Sequence, residues 1–164
     1  MAWSDFQEAS YNPAVTLIDE LSTLVQALDA AGVDYALAGA LALAVWGSPR
    51  ATQDIDLLIQ ADALERARQV ARANGFLLDA LPIRFEDGME LRRVTKLDPD
   101  GSHLTLDLIL VDSNLQAVWS SRRAVAFGKT QLQVISRDAL IAMKLAAGRP
   151  QDLADVRRLQ EQDR

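Results

Sequence analysis

Residues 35–60 read YALAGALALAVWGSPRATQDIDLLIQ, and the tail of that stretch decides how the fold is read. DIDLLI (54–59) has the aliphatic content of a buried strand, yet Asp54 and Asp56 sit inside it. Alternate side chains of a strand share a face. Asp54 and Asp56 therefore project together, while Ile55, Leu57 and Ile59 point the other way. Their Cα atoms would lie about 6.6 Å apart, so the two carboxylates can converge on one cation. An ionised carboxylate in apolar surroundings costs several kcal/mol or shifts its pKa. A divalent cation carrying a nucleotide would supply the missing charge.

Two neighbouring segments bear on this. Upstream, Gly39 separates a strand candidate at 33–38 from a short alanine- and leucine-rich helix that Gly47 closes. A strand–turn–helix junction points backbone N–H groups outward and makes an anion site. Downstream, HLTLDLILV (103–111) is the strongest strand signal in the chain. Leu104, Leu106, Leu108 and Leu110 form one apolar face, and Asp107 interrupts the other. Three carboxylates on two adjacent strands would need a cation, and oxygen-only ligation suits Mg²⁺ or Mn²⁺. Each residue also has a plain structural reading. A D-x-D pair can be a solvated strand end, and Asp107 can be ion-paired with Arg50, Arg92 or Arg93.

The rest of the chain frames this centre. The 164 residues suit one domain, 1–164, with 49% apolar and 24% charged residues. Acids outnumber bases 23 to 17, for a net charge of -6, which opposes non-specific nucleic-acid binding. With no cysteine and one histidine, His103, disulfides, thiolate catalysis and sulfur or polyhistidine metal sites are excluded. The first ten residues show no secretory pattern and no segment is long enough to span a membrane, so a soluble, cytoplasmic protein without a membrane partner is expected.

Helices are expected from Asn12-Pro13 to Gly32, from Asp62 to Asn74, from Asp112 or Ser113 through Trp119, from Ser136 to Gly148, and from Pro150 onward. Strands are expected at 76–78, 83–86, 90–97, 103–111, 125–127 and 132–135, with turns at Asp87-Gly88 and 98–101. Helices interleave with tightly turned strands, which predicts an α+β fold with a mixed sheet and helices packed against it.

AGALALAVWGSPRATQDIDLLI resembles the signature of the nucleotidyltransferase superfamily with the DNA polymerase β-like fold, most closely the small prokaryotic branch of AbiEii-type toxins and minimal nucleotidyltransferases. Gly39, Gly47, Arg50, Thr52, Asp54 and Asp56 follow that family's order, and Asp107 matches its third carboxylate. The tail SRDALIAMKLAAGRPQDLADV resembles the family's lysine helix followed by R-x-x-D-x-x-D, with Lys144, Arg149, Asp152 and Asp155 in those places. The resemblance spans about 20 to 156.

It implies a nucleotidyltransferase that moves a nucleoside monophosphate from an NTP to an acceptor hydroxyl of RNA, protein or a small molecule, within a toxin–antitoxin setting. It also implies catalytic and metal-binding roles for Asp54, Asp56 and Asp107 with Mg²⁺ or Mn²⁺, and nucleotide binding by the Gly39-Ala40 backbone, Arg50 and Lys144. Ala40 stands where the family has Gly or Ser. That departure keeps open a second expectation: a non-catalytic module of the same fold that serves as a toxin or antitoxin partner. Arg50 reads two ways as well, as a phosphate-facing cation or as the salt-bridge partner of an aspartate. Lys144 either reaches into the site or lays its stem along the core and ends in water. Asp152 and Asp155 read as surface charges or as partners of Lys144 or Arg149.

Overall fold

The structure is a computed structural model and describes residues 17–163. The helix start at Asn12-Pro13 lies outside them. Helix α1 (Leu17–Ala30) buries Leu17, Leu21, Leu24, Val25 and Leu28 along one stripe, the spacing of a core-facing helix. Strand β1 (Ala36–Ala38) leads directly into α2 (Gly39–Val45). Strand β2 (Asp54–Gln60) is followed by a 3₁₀ turn (Ala61–Ala63) and helix α3 (Leu64–Ala73). Strands β3 (Leu78–Asp79), β4 (Ile83–Arg84), β5 (Glu90–Leu97) and β6 (His103–Val111) form the middle of the chain. Helix α4 (Gln116–Ser120), the hairpin β7 (Arg123–Phe127) and β8 (Thr130–Val134), and helices α5 (Arg137–Ala147) and α6 (Pro150–Glu161) complete it.

The strands make one mixed sheet in the order β3-β5-β6-β2-β1-β8-β7, with β4 also on β5. β2 runs parallel to β6, and β1 parallel to β8; the other pairings are antiparallel. β6 and β2 are central and buried on both faces over most of their length, as parallel neighbours require.

The two faces carry different cargo. Ile55, Leu57, Leu106 and Leu108 look to one side and are buried. Helices α1 and α3 lie there: Lys96 donates to Glu20 of α1 at 2.6 Å, and Arg68 of α3 pairs with Asp79 at 3.2 Å. The opposite face carries Asp54, Asp56 and Asp107, and α5 and α6 approach it. Local caps set those two helices. Ser136 Oγ accepts from the Ala139 N–H at 3.1 Å, Gly148 closes α5 in the left-handed region, and Pro150 opens α6, each suited to its position.

The expected strand at 103–111 and the expected 90–97 strand agree with β6 and β5. The strand expected at 76–78 is displaced, because Phe76 is fully buried beneath the end of α3 and only Leu78 reaches the sheet. The helix expected to open at Asp112 or Ser113 starts at Gln116. Asp112 instead accepts from the N–H groups of Asn114 and Leu115 and makes a turn of its own.

Candidate active site

Register places the acidic residues. Asp56 on β2 lies directly beside Asp107 on β6, and Asp54 beside Thr105. Neighbours across a parallel ladder share a face, so all three carboxylates look the same way. On the other side of β2, Ala38 at the end of β1 is opposite Asp56. The chain turns away at Gly39, where φ is +64°. A Cβ at that position would stand 2.0 Å from Asp56 Oδ2. Only glycine lets the backbone pass so close to the carboxylate, and only glycine tolerates that φ without strain. The glycine turn and the aspartate pair are therefore one structure.

The three carboxylates are not equivalent. Asp54 is exposed, and its N–H donates to Thr52 Oγ1 at 3.1 Å. Asp107 is buried and held by Arg93, whose Nε and Nη2 donate to its two oxygens at 2.8 and 2.9 Å. Asp56 lies between them, partly buried. Among the described residues no side chain hydrogen-bonds to its carboxylate or pairs with it. Burial pushes the Asp56 carboxyl up to about 7, with the negative charges of Asp107 and Asp54 adding to it. Lys144 and Arg93 oppose that rise from a distance without cancelling it. The ionised form of this carboxyl is disfavoured chiefly by burial and further by its two acidic neighbours.

These features fit a divalent cation. The donors are all carboxylate oxygens, and Asp56 is orphaned and crowded. Among the described residues, however, no three histidine, aspartate or glutamate side chains are gathered into an array that could hold a metal ion. The expected trio shares one face, but both oxygens of Asp107 are occupied by Arg93.

Arg50 and Lys144, expected at the nucleotide, converge on the α6 carboxylates. Lys144 Nζ donates to Asp155 Oδ2 at 2.8 Å and lies 3.7 Å from Asp152 Oδ1. Arg50 Nε reaches Asp155 at 3.2 Å, and Gln151 Nε2 donates to it at 3.0 Å. Asp152 accepts from the backbone N–H of Arg149, the residue before α6, at 3.2 Å, and from its Nε and Nη2 at 2.6 and 3.2 Å. Burial alone would raise both carboxyls. The hydrogen bonds from Lys144, Arg50 and Gln151 reverse this at Asp155, and those from Arg149 with the charge of Lys144 do so at Asp152, so both lie below the usual range. Lys144 still acts on Asp56 through its charge, so the network backs the sheet site. Ala40, the residue after the turn, is buried in α2.

Sequence reasoning named Arg93 only as one of three partners for Asp107 and gave Gln151 no role. Arg93 had a readable signal. If DPDGS (98–102) closes a hairpin with Leu97 opposite His103, Arg93 falls opposite Asp107, and this is the register found. His103 is exposed at the start of β6, and Trp119 is buried with Arg122 stacked 3.9 Å over its ring.

Comparison with known proteins places this arrangement. The family described as nucleotidyl transferase AbiEii toxin, Type IV TA system, matches residues 22–164. Among solved structures, TM1012 of Thermotoga maritima, a candidate nucleotidyltransferase, aligns with a TM-score of 0.61 at 16% identity over 88% of this chain and 92% of that one. The lincosamide antibiotic adenylyltransferase LnuA, solved with lincomycin bound, aligns with a TM-score of 0.57 at 14% identity over 87% and 95%. A nucleotidyltransferase-like antigenic protein of Paracoccidioides brasiliensis aligns with a TM-score of 0.53 at 19% identity over 85% and 74%. At these identities the likeness is one of fold. No curated protein matches the chain.

Proposed function

Because the chain belongs to the AbiEii nucleotidyl transferase toxin family, we propose that it transfers a nucleoside monophosphate from an NTP to an acceptor hydroxyl in a metal-dependent reaction. One observation carries this reading. Asp56 is an unpartnered, charge-crowded carboxylate lying against a glycine turn and beside a second buried aspartate.

In this reading Asp54 and Asp56 hold Mg²⁺ or Mn²⁺, and Asp107 completes the set. The bound ions would orient the triphosphate and lower the pKa of the acceptor hydroxyl. The backbone N–H groups of the Gly39-Ala40 turn face the phosphates. Helix α2 has only seven residues, so its dipole adds little and the turn itself makes the cradle. The acceptor oxygen forms a bond to the α-phosphorus, the bond from that phosphorus to the bridging oxygen of the β-phosphate breaks, and pyrophosphate leaves. The acceptor proton passes to Asp107 or to solvent. Arg50 and Lys144 contribute from behind. They hold α6 against the site, and Lys144 adds positive charge at Asp56.

The acceptor is proposed as a hydroxyl of RNA, protein or a small molecule, with a toxin–antitoxin role following the family. No helix among the described residues is long and apolar enough to cross a membrane, and a cytoplasmic setting is part of the proposal. A second reading, a catalytically weak module that acts through a protein partner, is favoured by Ala40 and by the engagement of Asp107 with Arg93.

Incubating the protein with each α-labelled NTP, Mg²⁺ and cell extract separates the two. Label should move to an acceptor and pyrophosphate should appear, and both should vanish in Asp56→Asn. No transfer with any NTP would favour the interaction module.

A further inference from the structure

Arg93 has no place in the reaction as drawn, yet it is the only cation among the described residues that ion-pairs with a carboxylate on the catalytic face. It reaches that face from β5 and binds Asp107 through both oxygens. A bidentate fork engages one lone pair on each oxygen and sets a positive charge against them, so it competes with a metal ion for Asp107. The two partners differ in freedom. The Asp107 side chain is 8% exposed and that of Arg93 is 43% exposed. The buried carboxylate cannot follow the guanidinium into water, but the guanidinium can move outward and gain hydration as it goes. The space beyond it is open: Leu78 and Leu97, on the same face past Arg93, are 51% and 59% exposed. The negative charges of Asp54 and Asp56 also act on Arg93.

We infer that Arg93 is the positioning residue of the third carboxylate and works by cation exchange. In the nucleotide-free chain it holds Asp107 in place as a stand-in for the divalent ion. It swings outward when that ion binds beside Asp56, and it then faces the uncovered side of the sheet formed by β3 and β5. This rests on the metal-dependent reading above. It accounts for three aspartates lying on one face without being gathered into a ligand array.

The test is Mn²⁺ affinity, measured by electron paramagnetic resonance on the full chain at fixed pH and without nucleotide. Releasing the two Asp107 oxygens from the fork should tighten Mn²⁺ binding by roughly five- to tenfold in Arg93→Ala. Arg93→Lys keeps the charge but loses the fork, should fold as the wild type does, and should give a smaller tightening. In an Asp107→Asn background, Arg93→Ala should lose most of its effect, since there is no longer an oxygen pair to release. A general loss of positive charge, or a purely structural role, would not produce that dependence. Unchanged or weaker Mn²⁺ binding in Arg93→Ala, with the wild type binding normally, overturns cation exchange alone, as does equal tightening in the Asp107→Asn background. If neither wild type nor Arg93→Ala binds Mn²⁺ at millimolar concentration, the metal-dependent reading fails and the inference falls with it.

Discussion

Two acidic clusters lie close together in this protein and are treated in opposite ways. Asp152 and Asp155 on α6 are buried and fully partnered by Lys144, Arg50, Arg149 and Gln151. Asp54, Asp56 and Asp107 on the sheet share a single arginine, and Asp56 has no partner among the described residues. Burial acts on both clusters, but its outcome differs. The α6 carboxyls are held below the ordinary range, and Asp56 is pushed up to about 7. A protein that neutralises one buried cluster so completely has the means to neutralise its neighbour. Leaving the second one short of positive charge is what a site for an incoming cation requires.

The largest expected effect breaks the structural cluster. Asp155→Ala leaves Lys144 buried without its main partner and releases Arg50. It should cost about 3–5 kcal/mol of folding free energy, read as a fall in the denaturation midpoint. A loss under about 1 kcal/mol would mean that the network is not structural.

The next prediction uses the contrast in sign. The folded Asp56 holds its proton more tightly than the unfolded chain does. Its contribution to stability is therefore present below its ordinary value of 3.8 and is lost as pH rises through about 7. Asparagine cannot ionise, so without metal Asp56→Asn should gain on wild type between about pH 4 and 7, reaching on the order of 2–3 kcal/mol. Asp152 and Asp155 run the other way. Their lowered values stabilise the fold above the ordinary carboxylate range, and this is lost as pH falls through the folded values. If Asp56→Asn is no more stable than wild type at pH 8, the ionised Asp56 is not disfavoured by its burial and acidic neighbours.

Gly39→Ala sharpens the link between turn and carboxylate. The added methyl meets Asp56 Oδ2, and the backbone is left-handed. The substitution should cost about 1–2 kcal/mol and displace Asp56, weakening nucleotide-dependent stabilisation more than Ala40→Gly changes it. Smallest is Ser136→Ala, which removes the cap of α5. It should cost about 1 kcal/mol and leave any transfer activity near wild type.

The sequence was legible where local rules and tertiary demands agree. The alternation in HLTLDLILV marked β6 to its ends, because a central strand must bury aliphatics on one face whatever surrounds it. The Asp54–Asp56 pair and the glycine that opens α2 were visible for the same reason, since period and turn chemistry are local. The fate of Arg50 and Lys144 was not. Nothing local distinguishes an arginine that faces phosphate from one that faces Asp155 more than a hundred positions later. Arg93 was readable only through the register of the β5–β6 hairpin, a long-range fact that the five-residue turn encodes indirectly. Short edge strands such as β3 and β4 were blurred, because two residues paired to β5 carry too little pattern to set a boundary.

The central proposal is that the sheet carboxylates bind a nucleotide together with a divalent ion. Thermal unfolding of wild type and Asp54→Asn, each with Mg²⁺ alone, NTP alone and both together, tests it most directly. A ligand held at about a hundred times its Kd adds about 2.7 kcal/mol. The account predicts a rise in wild type with Mg²⁺ and an NTP together that clearly exceeds the rise with Mg²⁺ alone or NTP alone, and no such excess in Asp54→Asn. Equal midpoints for wild type in all conditions, with each of the four NTPs, would contradict it.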